Sequence, residues 1–154
     1  MIIEIKGGGF INKGAQLMLQ NLIAKKNWFS DDCKFVMHMA SGSFADRNSC
    51  QLGHLAWLHT WNYLPAAILT NIFFSCFSRK VRKKYNIWLK NEIEWVLDIS
   101  GFIYSDHFGP KPCNRMADYY RQLRNNGAKI IIMPQAMGPF KNPEIKASVR
   151  EILN

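Results

Sequence analysis

Hydrophobic and polar positions change period several times along the chain. IIEIK at residues 2–6 reads as a first strand running into glycines. In GAQLMLQNLIAKK, residues 14–26, Ala15, Met18, Leu19, Leu22 and Ile23 recur at helical spacing and give one apolar face. CKFVMHM at 33–39 reads as a second strand, and the polar stretch 40–51 as a loop. Residues 52–91 read as largely helical, with Trp57, Trp61 and Trp88 packed on the core. EWVLDIS at 94–100 has a continuous apolar centre, which predicts a third strand buried on both faces. A turn-rich loop over 101–112 precedes a helix over 113–127, with Asn126-Gly127 as its stop signal. KIIIMP at 129–134 is a fourth strand, and QAMGPF is a loop. The last helix covers 142–154, with Asn142 as N-cap and Pro143 at the first helical position.

Strands thus alternate with helices, which predicts an α/β, Rossmann-like parallel sheet with helices on both faces. The length of 154 residues suits one such domain. No internal repeat is visible. The pattern breaks off inside a helix, so residues 1–154 read as one domain of a longer protein.

Composition narrows the chemistry only slightly. The chain is 48% hydrophobic and 13% aromatic, which excludes a disordered polypeptide. A formal charge of +9 favours anionic partners without choosing among them. Nucleic acid is not expected, because there is no recognised motif and the cations cluster in one short run. Cys33, Cys50, Cys76 and Cys113 form no zinc pattern, so no metal is expected and a reduced, cytoplasmic chain is. No signal peptide is expected ahead of the first strand. The apolar run 63–77 is shorter than the roughly 20 residues that span a bilayer. SRKVRKKY follows it, with five cations in residues 79–84, so peripheral contact with anionic lipid stands beside a buried helix with a solvated basic turn.

Ligands of an open parallel sheet bind beyond the carboxyl ends of its strands, where three loops would lie. GGGFINKG follows the first strand. It is not a Walker A loop, because Lys13 precedes Gly14 with Ala15 after it. It is not GxGxxG either, because Asn12 takes the third glycine position. Backbone amides at a helix N-terminus, with Lys13 nearby, would favour an anion, although a tight turn with a surface lysine fits as well. The second loop gathers Ser100, Tyr104, Asp106 and His107, which suit acid–base chemistry or turn capping. The third offers Gln135 and a turn at Gly138-Pro139.

Taken together, NKGAQLML, LDISGFIYSDHFG and PQAMGPF resemble the polysaccharide pyruvyl transferase family, in that family's order. The likeness covers residues 1–30 and 93–154. It implies the N-terminal half of a two-domain, glycosyltransferase-B-like enzyme. Such enzymes move a pyruvyl group from phosphoenolpyruvate to a glycan or lipid-linked sugar acceptor in exopolysaccharide or cell-wall assembly. The C-terminal domain, with its arginine and histidine residues, has no counterpart in these residues, which implies that this chain alone is inactive. No cofactor is implied. Carried over by position, Gly9, Asn12, Lys13 and Gly14 fall in the first loop. Ser100, Gly101, Phe102, Asp106, His107 and Gly109 fall in the second, where His107 stands in place of an amide side chain. Pro134, Gln135, Gly138, Pro139 and Phe140 fall in the third. Lys13 would attract a phosphate or carboxylate, Asp106 would orient or deprotonate an acceptor hydroxyl, and the others would shape the substrate site. Work at the inner face of the membrane and self-association of an uncovered half-enzyme are further expectations. Two other readings remain: a sugar- or phosphate-binding half-domain without catalysis, and a membrane-associated binding module.

Overall fold

The structure, a computed structural model, describes residues 1–56 and 72–154. Among them six strands form one parallel sheet: β1 Ile2–Lys6, β2 Lys34–His38, β3 Gly53–Leu55, β4 Ile87–Trp88, β5 Trp95–Asp98 and β6 Lys129–Ile132. Five helices accompany them: α1 Lys13–Ala24, α2 Phe44–Ser49, α3 Arg79–Lys84, α4 Pro110–Asn125 and α5 Pro143–Leu153. The strand order is β4-β3-β2-β1-β5-β6, with every neighbouring pair parallel. This is the α/β Rossmann-like arrangement that the alternating pattern predicts.

Side-chain alternation on the central strands divides the core. Ile3, Ile5, Phe35, Met37, Leu97 and Ile99 pack with Leu19 and Leu22 of α1 on one face. Ile2, Val36 and Val96 pack on the other with α4, through Met116, Tyr120 and Leu123, and with α5, through Ile145, Val149 and Ile152. Apolar side chains on both faces are the rule for parallel strands. Glu4, Lys6 and Asp98 break that rule, all on the α4 face near the carboxyl ends of β1 and β5. The order reverses between those same two strands, which puts the topological switch point there.

Of the stretch 52–91, read from the sequence as largely helical, residues 57–71 lie outside the described residues, and the rest departs from that reading in part. It holds β3 and β4, strands of three and two residues, too short for a period to register. Gly53 marks the first of them. A Cβ there would lie 2.7 Å from the Trp88 ring, so glycine lets the tryptophan lie on the neighbouring strand. Trp57, Trp61 and residues 63–71 of the apolar run lie outside the described residues. The expected loop 40–51 contains α2, opened by a reciprocal cap in which Ser43 and Asp46 bind each other's backbone amides. Within it Arg47 is buried, and its Nη1 donates to the carbonyls of Met39, Ser41 and Gly42 at 2.8–2.9 Å. Helix α4 begins three residues earlier than its expected start, because Pro110 and Pro112 fit the first helical turn. The four cysteines are free; Cys33 and Cys113 are buried, whereas Cys76 is exposed. Among the described residues, no helix is long and apolar enough to cross a membrane.

Candidate functional site

The loops leaving the carboxyl ends of the strands are fastened to one another. Gly7 has a φ of +78°, and a Cβ on it would lie 2.3 Å from the Ser100 Cα, so the first loop presses on the second with no room for a side chain. Phe10 covers Gly42, where a Cβ would meet its ring at 2.3 Å, and this ties the first loop to the one after β2. The Gly138 amide donates to the Tyr104 carbonyl at 2.9 Å. Asp106 accepts the backbone amides of Lys141 and Asn142, both at 2.9 Å. These bonds join the second loop to the third.

Between α4 and the loops after β1, β2 and β5 opens a cavity of about 540 Å³, walled by Lys6, Gly7, Gly8, His38, Ser41, Ser100, Arg115 and Tyr119 among others. Its size falls within the usual range for small-molecule sites. Among the described residues no acidic side chain lines it. Two cations do, Lys6 at the end of β1 and Arg115 on α4. Arg115 Nε donates to the Lys111 carbonyl at 3.1 Å, and burial lowers the guanidinium pKa from its ordinary value. His38 Nδ1 accepts the Ala40 amide at 3.1 Å, which leaves the hydrogen of the neutral ring on Nε2.

The floor is built on buried ionisable groups. Tyr119 donates to Glu4 Oε2 at 2.7 Å, and Lys6 Nζ stands 4.4 Å from the Tyr119 ring centroid and 4.0 Å from Glu4 Oε1. Glu4 is wholly buried, and its Oε1 has no hydrogen-bond donor among the described residues. Burial therefore raises the Glu4 pKa, with Lys6 and the Tyr119 hydrogen bond opposing. Lys90 lies over the same tyrosine ring, bonds Gln122, and is drawn down to about 8 by burial. Beside this group Asp98 accepts the Ser100 amide and the Tyr120 hydroxyl, each at 2.7 Å, and the Tyr104 hydroxyl. Burial pushes both tyrosines up, and the Asp98 charge adds to it. They serve as fixed donors and not as bases.

Of the site residues expected from the sequence, Ser100 lies in the cavity wall. The others are not among its lining residues. Lys13 is exposed at the first position of α1, with Nζ 3.3 Å from Gln16 Oε1. Asn12 is the N-cap of that helix, and its Oδ1 accepts the amides of Gly14 and Ala15 at 2.9 and 3.2 Å. The amides expected to receive an anion are therefore already bonded, since asparagine is among the strongest capping residues. Gly9 has room for a side chain, the nearest heavy atom being the Ala15 Cβ at 4.0 Å. Gly101 and Gly138 supply positive φ at turns. Phe102 and His107 stack with ring centroids 6.1 Å apart and meet Phe108 edge-on, forming an exposed aromatic rim. Gln135 buries both amide atoms without a hydrogen bond to any described residue. Asp106 has both oxygens engaged, and the Lys141 and Asn142 amides hold its pKa below the usual carboxylate value. A carboxylate so held is a weak base and a firm loop anchor.

Lys6, Arg115, Tyr119, His38 and Glu4 escaped the sequence reading. Two spacings point to them. Glu4 and Lys6 are two apart on β1 and so share a face, whereas Arg115 and Tyr119 are four apart on α4 and face the same way. Among the described residues no group of three His, Cys, Asp or Glu side chains is placed to hold a metal ion. Comparison with models of protein families, with curated proteins and with solved structures finds no match to this chain.

Proposed function

We propose that this chain is the N-terminal domain of a transferase resembling the polysaccharide pyruvyl transferases, in a glycosyltransferase-B-like enzyme. The reaction moves a pyruvyl group from phosphoenolpyruvate to a sugar of a cell-surface polysaccharide. One observation supports the reading above the others. The three loops that carry the resemblance leave the adjacent strands β1, β5 and β6 at one end of the sheet and are bound to each other, and the first two border a ligand-sized cavity. In this reading the cavity takes substrate and the opposing face comes from a C-terminal domain. Lys6 and Arg115 supply the positive charge expected of Lys13, and Asp106 acts by holding the third loop. The test is transfer from radiolabelled phosphoenolpyruvate to membrane-extracted glycan, with this chain alone, with a supplied C-terminal half, and with the complete product of the source cell. Transfer that needs both halves and falls in Lys6→Met supports the reading. Absence of transfer from the complete product overturns it in favour of a binding module.

A second observation favours work at the cytoplasmic face of a membrane. Ile72, Phe73, Phe77, Val81 and Tyr85 are exposed beside the exposed cations Arg79, Lys80, Lys83 and Lys84. Arg82 is buried and pairs with Glu92 at 2.5 Å, and the exposed Arg79 reaches the same carboxylate at 3.2 Å. Exposed aromatics next to lysines suit the interface of an anionic bilayer. Co-sedimentation with phosphatidylserine vesicles that salt reverses, and none with phosphatidylcholine, is the expected result. Equal sedimentation with both would remove the electrostatic part of this reading.

A further inference from the structure

Burying ionisable side chains on the central strands of a parallel sheet is costly unless something compensates them. This chain does so beside its switch-point cavity, with Glu4 on β1 and Asp98 on β5, and sets the half-buried Lys6 at the end of β1. The arrangement is asymmetric. The carboxylates lie behind the wall, bound by tyrosine hydroxyls, whereas the cations Lys6 and Arg115 are in it. Asp98 is fully employed by three donors. Glu4 is the nearest carboxylate to Lys6, at 4.0 Å, beyond hydrogen-bond distance. Burial also raises its pKa, with Lys6 and the Tyr119 hydrogen bond opposing. The inner wall is thus net positive, with the bend at Gly7-Gly8 bringing backbone close to whatever occupies the space.

We infer that this cavity is an oxyanion-binding site, in which Lys6 and Arg115 together hold one phosphoryl or carboxylate group of a small ligand. Arginine supplies planar, two-pronged recognition and lysine a point charge, and the pair suits an oxygen-rich anion. Tyr119 acts as a positioning residue. Its hydroxyl is fixed by Glu4, and its ring, beneath the ammonium, sets the reach of Lys6. The volume of about 540 Å³ leaves room for a sugar-sized body beyond the anionic group. The inference rests on reading the cavity as the substrate site, but it does not require pyruvyl transfer.

The test is titration of the isotope-labelled chain with sodium phosphate and, separately, sodium acetate. Ionic strength is held constant with chloride, and backbone amide signals are followed by NMR. Saturable shifts centred on Gly7, Gly8, Ser41 and Ser100 are expected. Saturation by phosphate alone assigns a phosphoryl group, and saturation by acetate alone a carboxylate. Lys6→Met and Arg115→Gln should each weaken binding by about tenfold or more, the scale of one charged hydrogen bond. Lys80→Ala, in the exposed basic run, should leave it unchanged. Should either cavity variant lose the dispersed spectrum of a folded chain, Ser41→Asp decides instead. It sets a carboxylate in the wall outside the Glu4 group and should abolish binding. Shifts that never saturate, shifts confined to residues 79–84, or full affinity in a folded cavity variant would overturn the inference. Failure of the transferase assay with anion binding intact would count against pyruvyl transfer alone.

Discussion

Asp106 and Asn142 are joined across 36 residues of chain: the aspartate accepts the asparagine's amide at 2.9 Å, and the asparagine caps α5 through its own side chain. The Lys141 amide fills the other carboxylate oxygen. The acid thereby fixes the path of the third loop into the last helix. Asp106→Ala should accelerate amide exchange at Lys141 and Asn142 while leaving anion titration of the cavity unchanged. Because the amides hold this pKa below 3.8, the anchor is present above that pH and is lost as pH falls through the lower folded value. Unchanged exchange in the variant would show that the loop is held by other means.

Gly7 and Gly127 share positive φ, +78° and +87°, but not surroundings. A Cβ on Gly127 meets nothing within 4 Å, whereas one on Gly7 collides with Ser100 backbone. Gly127→Ala should cost only the left-handed strain, about 1–2 kcal/mol. Gly7→Ala should cost clearly more, since backbone must move to admit the methyl, and should also shift the Ser100 amide signal. Urea denaturation of both variants checks the order. Equal losses would mean that the first loop yields freely.

Much of the fold was legible in the sequence because its long elements carry a period. Leu19 and Leu22 of α1 and the buried run Val96–Leu97 of β5 lie where the pattern put them. The short strands were not legible, since Gly53–Leu55 becomes a strand only because Trp88 and Val36 lie beside it. Legibility of the site followed the same division. Glycines and caps are local signals, so the loops were found, with Ser100 in the wall. Lys6 and Arg115 are 109 positions apart, and only the β1–α4 packing brings them to one cavity. Asp106 reads as an acid–base residue from its neighbours, yet its partners are backbone amides that no side-chain motif encodes.

His54 supplies a test at mild pH. Its ring is buried, stacked on Phe44, with Nδ1 accepting from Arg47 Nε at 3.0 Å and Nε2 3.1 Å from Asn48 Oδ1. A second ring proton would face the guanidinium. Burial, then Arg47 and Lys34, lowers the pKa from 6.5. In the window below 6.5 the unfolded chain therefore binds a proton that the folded chain refuses. Stability should fall with decreasing pH there, at up to about 1.4 kcal/mol per pH unit. His54→Gln should flatten that slope whatever its effect at pH 7. A slope equal to wild type would place the titration elsewhere.

Glu4 and Lys90 should act in opposite directions on the alkaline side. Glu4 is raised above 4.5 by burial, against the pull of Lys6, Tyr119 and Lys90, with Asp98 adding to the rise. Above 4.5 the folded chain keeps a proton that the unfolded chain has lost, so its stability contribution falls as pH rises. Lys90 is lowered to about 8 from 10.5, so between those values the unfolded chain holds the extra proton and stability recovers. Glu4→Gln keeps an acceptor for the Tyr119 hydroxyl and removes the titration. It should abolish the decline above 4.5 and gain on wild type as pH rises toward 8. It should also begin the recovery at lower pH, because Lys90 loses the attraction of Glu4, which raises its pKa. Urea midpoints across about pH 4 to 10 measure all three effects, in the range where these groups titrate. Parallel curves for the two proteins would mean that Glu4 stays in one charge state throughout, and the sheet face beneath the cavity would then owe its pH response to Lys90 alone.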